Sequence, residues 1–295
     1  MDKLSVVKSN ELIKACFRLE LNETRLLYYA IAKANPMENP YGWKDYYEIR
    51  VSDIAEIFCM DKKGAYKDML DASNSFFERQ FTILTANKER HKGRFIDLIT
   101  YHEGKGLLAI KFSEAIRPFL SHLKGNFTSY RLSKIVNFKT PNSVRIYEIS
   151  IMELKKTKKK TAEFLTSIST LKEQLNLEDK YKRFNQFKER ILEKAKDEIN
   201  KHSDITLSFE IIKKGRTPSD IKFLISYKTG KEPKHHFHQE NQVEKLKFEL
   251  KNVLQELKPF RTKSSFTREE DIARLKLEKR RSELKSQLEK LSKSA

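Results

Sequence analysis

Residues 168–201 read ISTLKEQLNLEDKYKRFNQFKERILEKAKDEINK, and they give the clearest indication of the fold. Its apolar spacing predicts a short helix over Ser169–Leu175 and a long helix from about Lys180 to Lys201, joined by a turn at Asn176–Asp179. Two helices joined this tightly form a helix-turn-helix. Strand-like segments follow, and the loop between them holds a glycine suited to a hairpin turn. They span Ile205–Ile212 and Ile221–Tyr227. The order predicts a winged helix.

The same pattern occurs 117 residues earlier in the chain. Val51-Ser52, Ile54, Phe58 and Met60 match Ile168-Ser169, Leu171, Leu175 and Leu177 at one constant offset. Internal repetition of a supersecondary unit is a strong sign of tandem organisation. In the earlier copy, a strand over Tyr46–Val51 precedes a helix capped by Ser52, and Cys59–Asp61 link that helix to the next. A hairpin through Glu103-Gly104-Lys105-Gly106 supplies its wing.

We therefore predict an α+β, helix-rich fold with two tandem winged-helix domains followed by a basic helical C-terminal tail. The first domain is placed at residues 1–131, the second at 132–230 and the tail at 231–295. In the tail, Val243, Leu246, Leu250, Val253 and Leu257 alternate at spacings of three and four, and Thr267 with Glu270 makes a capping box for a second helix. Leu277, Leu284, Leu288 and Leu291 complete the predicted helical hairpin.

The composition restricts the classes of function. The chain has 295 residues and a formal net charge of +19, of which residues 132–230 carry the largest share. Such an excess favours binding to a polyanion such as nucleic acid. The longest apolar run, Leu26–Ala32, is too short for a membrane span, and the N-terminus lacks a signal-peptide core, so we expect a cytoplasmic protein. Cys16 and Cys59 lie in apolar stretches and are predicted to be buried thiols.

The candidate DNA contacts lie in the second domain. On the predicted long helix, Phe184, Phe187, Ile191, Leu192, Ala195 and Ile199 share the apolar face. The opposite face carries basic and amide side chains, which in the major groove donate to guanine or pair with adenine. The contacts expected on or beside this helix are Lys180, Lys182, Arg183, Asn185, Gln186, Glu189 and Arg190.

The wing is expected to contact the DNA backbone. Lys213, Lys214 and Arg216 surround Gly215 at the predicted hairpin tip, where cations neutralise phosphates without reading sequence. The corresponding helix of the first domain has Lys62, Lys63 and Lys67 close to three aspartates, so its charge nearly cancels. We expect that helix to make auxiliary DNA contacts or to serve protein association.

Several motifs in this order resemble the initiator Rep proteins of iteron-bearing, theta-replicating plasmids. They are Val6-Val7-Lys8-Ser9-Asn10-Glu11-Leu12-Ile13, Leu21-Asn22-Glu23-Thr24-Arg25-Leu26-Leu27, Phe127-Thr128-Ser129-Tyr130-Arg131-Leu132, Arg145-Ile146-Tyr147-Glu148, Tyr181-Lys182-Arg183-Phe184 and Phe187-Lys188. The resemblance runs from about Val6 to Tyr227 and leaves the tail outside.

The resemblance implies binding of repeated sequences (iterons) in double-stranded plasmid origin DNA and melting of an adjacent AT-rich segment. It further implies a host initiator ATPase and a replicative helicase as partners. Both a monomer and a homodimer are implied, with dimerisation through the first domain and repression of the protein's own gene by the dimer. The resemblance also implies that Lys182, Arg183, Gln186 and Arg190 contact DNA. No cofactor is implied.

The sequence argues against two enzymatic functions. His236-Phe237-His238 fits part of a nicking-type metal site, but no tyrosine follows residue 227 to act as the nucleophile. No Gly-rich phosphate loop precedes a Lys-Ser or Lys-Thr pair, which argues against an ATPase. A winged-helix transcriptional repressor that binds an operator stays open as the alternative.

Overall fold

The computed structural model describes residues 4–35, 43–84, 89–102, 104–121, 123, 126–228, 246, 250, 253–261 and 267–293. The chain divides into two compact units, residues 1–232 and 233–295. The first unit holds two winged helices, as the sequence predicts, and the second holds the helical tail. No helix within the described ranges is long and apolar enough to cross a bilayer.

The first winged helix is built around helix α2. Its helices and strands are β1 (Ser5–Ser9), α1 (Asn10–Lys14), α2 (Leu21–Ala34), β2 (Tyr47–Arg50), α3 (Val51–Ile57), α4 (Lys62–Phe77), β3 (Gln80–Leu84), β4 (Arg90–Arg94), β5 (Ile96–His102), β6 (Leu107–Phe112), α5 (Arg117–Leu120) and β7 (Phe127–Arg131). Strand β6 lies between β2 and β5, all antiparallel. The hairpin of β5 and β6 turns between His102 and Leu107, where Gly104, Lys105 and Gly106 are turn residues, as predicted.

The second winged helix repeats this arrangement. After α6 (Pro141–Thr157) come β8 (Thr161–Ser167), α7 (Ile168–Gln174), α8 (Phe184–Phe187), a π-helical turn (Lys188–Glu193), α9 (Lys194–His202), β9 (Ile205–Lys214) and β10 (Thr217–Tyr227). Strand β10 lies between β8 and β9. Helices α3 and α7 have bounds 117 residues apart at both ends. The repeat seen in the sequence is therefore a repeat of structure.

Two pairs of strands were not predicted. Strand β1 pairs with β7, so Ser5 lies opposite Arg131, and β3 pairs with β4 as a separate hairpin. The β1–β7 pair joins the start of the chain to the segment that leads into the second winged helix. The division at residue 131 stays a prediction.

The predicted Ser52 helix cap and the two predicted buried thiols are wrong. Helix α2 begins at Leu21, with Glu20 and Glu23 forming its capping box, while the Asn22 side chain accepts from Arg25. Helix α3 begins one residue before Ser52 and has no side-chain cap. Cys16 is only half-buried and Cys59 is exposed. The apolar residues around Cys59 face the core, whereas Cys59 itself lies in the turn that ends α3.

The tail unit contains the predicted apolar seam. Helices α10 (Lys258–Arg261) and α11 (Arg268–Lys293) are described there. Leu246, Val253, Leu257 and Leu284 are buried together, with Leu250, Leu277 and Leu288 packed against them. The capping box is confirmed: the Thr267 amide donates to Glu270 Oε2, and the Glu270 amide donates to Thr267 Oγ1. Val243 lies outside the described residues.

Candidate nucleic-acid interface

The helix-turn-helix of the second winged helix is closed by backbone hydrogen bonds. Asn176 has a positive φ of 50°, and the amide of Leu177 donates to the Lys172 carbonyl at 2.9 Å. Asparagine adopts this left-handed conformation more readily than most residues. Ser167 caps α7 by accepting from the Thr170 amide at 3.0 Å. These bonds fix the direction in which the chain leaves α7.

The predicted start of the long helix is wrong. The helical backbone begins at Phe184, with Arg183 as its N-cap, so Lys180 and Lys182 lie in a loop before it. Tyr181 has a φ of 54°, which a continuing helix does not allow. The Lys172 ammonium holds this loop by donating to the carbonyls of Lys180 at 3.2 Å and Tyr181 at 2.9 Å. Lys180, Lys182 and Arg183 are therefore exposed on an anchored loop.

The helix beyond this loop, which we call the long helix (α8, the π-helical turn and α9), keeps helical backbone angles throughout. Its predicted apolar face is confirmed: Phe187, Ile191, Leu192, Ala195 and Ile199 are buried and Phe184 is half-buried. The predicted polar face is exposed at Asn185, Gln186, Glu189 and Arg190. The π-helical turn includes Glu189 and Arg190, and such turns frequently occur at functional sites.

The wing is tighter than predicted. Strand β9 runs to Lys214 and β10 starts at Thr217, so the hairpin turns on Gly215 and Arg216 alone. Gly215 has a φ of 65°, which is favourable for glycine in a two-residue turn. Lys213, Lys214 and Arg216 are all exposed. Three cations thus surround the tip of one hairpin.

The corresponding surface of the first winged helix is more nearly neutral. Lys62 is the first residue of α4, and Lys63 and Lys67 are exposed on the same helix. Asp61, Asp68 and Asp71 are exposed around them. Tyr66, 47% exposed, lies against Gly106 in the β5–β6 wing, where an added Cβ would overlap the ring. This ring fastens the wing to α4.

The arrangement offers hydrogen-bond donors and cations, with the amide groups of Asn185 and Gln186 between them. Such a set suits a duplex: guanidinium and amide groups form bidentate pairs with base edges, and lysines neutralise phosphates. Among the described residues, no group of three or more His, Cys, Asp or Glu side chains could hold a metal ion. His236-Phe237-His238 lies outside the described residues.

The sequence analysis did not identify two residues that support the candidate interface. Lys172 anchors the loop that carries three candidate contacts, and Tyr66 supports the first wing. A lysine in a short amphipathic helix looks like any solvated residue, because its partners are backbone carbonyls eight and nine residues later. Helical spacing carries no signal for the contact between Tyr66 and Gly106, because the two residues lie 40 positions apart in the chain.

The chain matches two family models in order. Residues 5–151 match "Initiator Replication protein, WH1", and residues 167–225 match "Initiator Rep protein, WH2". Among curated proteins, it is 27% identical to an Escherichia coli "Replication initiation protein" over 227 residues, covering 76% of this chain and 70% of that protein. It is 28% identical to the Escherichia coli "PI protein" over 252 residues, covering 75% and 82%.

A solved structure has the same fold. The crystal structure of the Pi initiator protein in complex with iteron DNA aligns with a TM-score of 0.64 at 24% identity, covering 78% of this chain and 99% of that one. The helix-turn-helix units of both winged helices lie within the matched family segments, and their order along the chain is that of the family models. The chain belongs to the initiator Rep protein family, whose members carry two successive winged-helix domains.

Proposed function

We propose that this protein is a plasmid replication initiator that binds repeated origin DNA (iterons) sequence-specifically. The exposed face of the long helix carries the proposal, because Asn185, Gln186 and Arg190 project together from a helix whose opposite side is buried. Family membership supports the role in replication. The iteron DNA in the complex of the structurally similar Pi initiator supports the kind of target.

In this proposal the two parts of the interface contribute differently. Arg183, Asn185, Gln186, Glu189 and Arg190 read base edges from the major groove, while Lys180, Lys182 and the wing cations Lys213, Lys214 and Arg216 bind phosphates. Lys62, Lys63 and Lys67 of the first winged helix add auxiliary contacts. Bound copies on successive repeats then promote melting of an adjacent segment and recruit a host initiator ATPase and a replicative helicase. Monomers initiate, and a homodimer represses the protein's own gene.

The test is a binding titration of the purified protein at about physiological salt on DNA that flanks its own gene, with a shuffled copy as control. A preference of at least about a thousandfold is the expected range for specific binding. Stepwise occupancy of tandem repeats would support an initiator, and occupancy of a single inverted repeat would support the repressor alternative. Equal affinity for both duplexes would contradict sequence-specific binding.

A further inference from the structure

Helix α6 lies between the two winged helices and packs against both. On one side it contacts α1 and β7 of the first winged helix, and on the other it contacts α9 and β8 of the second. Its residues 143–152 are all buried. Both winged helices belong to the same compact unit. Any change in the angle between them must therefore break contacts of this helix.

One face of α6 is fastened to the first winged helix through Glu148. This carboxylate is fully buried and accepts hydrogen bonds from Lys8 Nζ at 2.8 Å and from Tyr130 Oη at 2.7 Å. Tyr28 Oη donates to it as well. Lys8 lies on β1, Tyr28 on α2 and Tyr130 on β7. One carboxylate on α6 thus gathers donors from three elements of the first winged helix.

The adjacent residue fastens α6 to the second winged helix. Tyr147 is fully buried, and its hydroxyl donates to Asp204 Oδ1 at 3.0 Å. Asp204 lies between α9 and β9, at the end of the long helix. Two successive residues of α6 therefore form hydrogen bonds to different winged helices, Tyr147 to the second and Glu148 to the first.

Arg145 joins both sides with one side chain. Its Nη2 donates to the carbonyl of Ala15, just after α1, at 2.7 Å and to the carbonyl of Gln174, at the end of α7, at 3.5 Å. The guanidinium lies 3.8 Å from the Phe17 ring centroid, and its Nη1 is 3.6 Å from Glu148. Gln174 is the last residue of α7 before the helix-turn-helix turn. The contact therefore acts on the turn that orients the long helix.

The geometry favours arginine at this position. A guanidinium is planar and presents several donors in a fixed fork, whereas a lysine ammonium is a point charge on a flexible stem. Arg145 is only 4% exposed, both of its hydrogen bonds come from Nη2, and its Nε and Nη1 have no hydrogen-bond partner among the described residues. Burial of such a group is costly, so a buried charge pair is weak evidence for stability and agrees with a positioning role.

We propose that Arg145, supported by Glu148 and Tyr147, is a positioning residue that fixes the separation and angle between the long helix and α4. Through that angle it sets the spacing of the two DNA segments that one molecule engages. The claim about DNA spacing rests on the proposed function, because only a protein that binds duplex DNA has two DNA segments to space. The claim that Arg145 fixes the angle between the two winged helices concerns the protein alone.

The claim that Arg145 fixes the angle between the two winged helices is tested first, without DNA. Spin labels are placed on Asp71→Cys in α4 and Lys194→Cys in α9, both exposed positions, in a Cys16→Ser and Cys59→Ser background. The full-length chain should give one narrow distance distribution. Arg145→Lys should broaden it at least about twofold, because an ammonium on a flexible stem cannot keep the planar contact with the Phe17 ring while it donates to both carbonyls. Arg117→Lys, which changes an exposed ion pair with Glu114, is the matched control and should leave the width unchanged.

The second test measures spacing on DNA. One base pair is inserted between the two segments protected by the bound protein, which adds about 3.4 Å of length and about 35° of rotation. The wild-type chain should lose at least about tenfold in affinity, in the range of one or more lost base contacts. Arg145→Lys should lose less than about threefold relative to its own affinity for the unmodified site.

The outcomes separate the two proposals. If the wild-type chain fails to prefer origin DNA over a shuffled copy, the proposed function fails, while the spin-label distances still test the coupling. If Arg145→Lys keeps both the narrow distribution and the full insertion penalty, the positioning role is refuted. If Arg145→Lys does not melt cooperatively, the same distance measurements are made on Glu148→Gln and Tyr147→Phe. The first removes the charge and the second removes the hydroxyl, each with little change in shape. Distance distributions of unchanged width in both variants would also refute the positioning role.

Discussion

Cys59 and Asn176 hold the same left-handed backbone conformation, with φ values of 49° and 50°, at equivalent points of the two helix-turn-helix units. The hydrogen bonds around them correspond as well. The amide of Met60 donates to the Ala55 carbonyl at 2.9 Å, and the amide of Leu177 donates to the Lys172 carbonyl at 2.9 Å. The turn geometry is thus shared, whereas the residue that adopts it is a cysteine in one unit and an asparagine in the other.

This correspondence predicts that Cys59→Asn stabilises the first winged helix. A left-handed backbone costs most residues about 1–2 kcal/mol and is less costly for asparagine. We expect the free energy of unfolding to rise by about 0.5–1 kcal/mol, measured by urea denaturation. Cys59→Ser is the control, since it removes the thiol without gaining this backbone preference. An equal effect of both variants would show that the thiol, not the backbone, matters.

The long helix, together with its N-cap Arg183, and helix α4 should differ in their contribution to specific binding. Arg183→Ala and Arg190→Ala are expected to weaken binding to origin DNA by about 1–3 kcal/mol each, the range for a bidentate base contact. Lys63→Ala should have a much smaller effect, because aspartates surround it. Titrations at one fixed salt concentration measure the ranking. Equal losses in all three variants would contradict it.

The wing should contribute affinity without sequence preference. Each phosphate neutralised contributes about −0.9 to the slope of log K against log salt concentration. Lys213→Ala and Lys214→Ala should therefore each reduce the magnitude of that slope by about 0.9. The ratio of affinities for origin and shuffled DNA should stay unchanged. A changed ratio with an unchanged slope would mean that these lysines contact bases.

The first wing offers a pair of glycines with matched backbones. Gly104 and Gly106 have φ values of 72° and 57°, but only a Cβ at Gly106 would overlap Tyr66. Gly106→Ala should therefore cost about 1 kcal/mol more than Gly104→Ala, at the lower end of overpacking effects. In a Tyr66→Ala background the two substitutions should cost the same. If Gly106→Ala still costs more than Gly104→Ala in that background, the extra cost does not come from the contact with Tyr66.

Alkaline pH should destabilise the protein through three buried phenols. Burial raises the pKa of Tyr28, Tyr130 and Tyr147 well above the ordinary value, and Glu148 or Asp204 nearby raises it further. A folded-state pKa above the unfolded value gives stability that is complete below about pH 10 and is lost as the pH rises beyond it. Phenolate absorbance should show these three titrating together with unfolding. Their titration in the folded chain would contradict the prediction.

The helix-turn-helix pairs were predictable because their signals are local. Apolar spacing identified α3, α7 and the buried side of the long helix, and the constant offset between Met60 and Leu177 revealed the repeat. Burial of Leu175 and Leu177 follows the same periodicity. The wings were equally readable from glycines between strand-like segments. The identities of the DNA contacts are still a prediction.

The features that the sequence did not reveal depend on partners far along the chain or on backbone geometry. Strand β4 reads RHKGR, which has no apolar alternation, and β1 needs β7, 118 to 126 residues later, for its hydrogen bonds. The positive φ of Tyr181 and the carbonyl contacts of Lys172 delay the long helix to Phe184. Helical periodicity alone carries no information about either.

The bond between Lys8 and Glu148 also has a consequence for synthesis on the ribosome. The two residues lie 140 positions apart. At about 5–20 residues per second, the N-terminal lysine waits about 7–28 s for its carboxylate to be made. For most of that interval β1 has neither its partner strand nor a counter-ion. The nascent first domain therefore completes its folding only when the helix that joins it to the second has emerged.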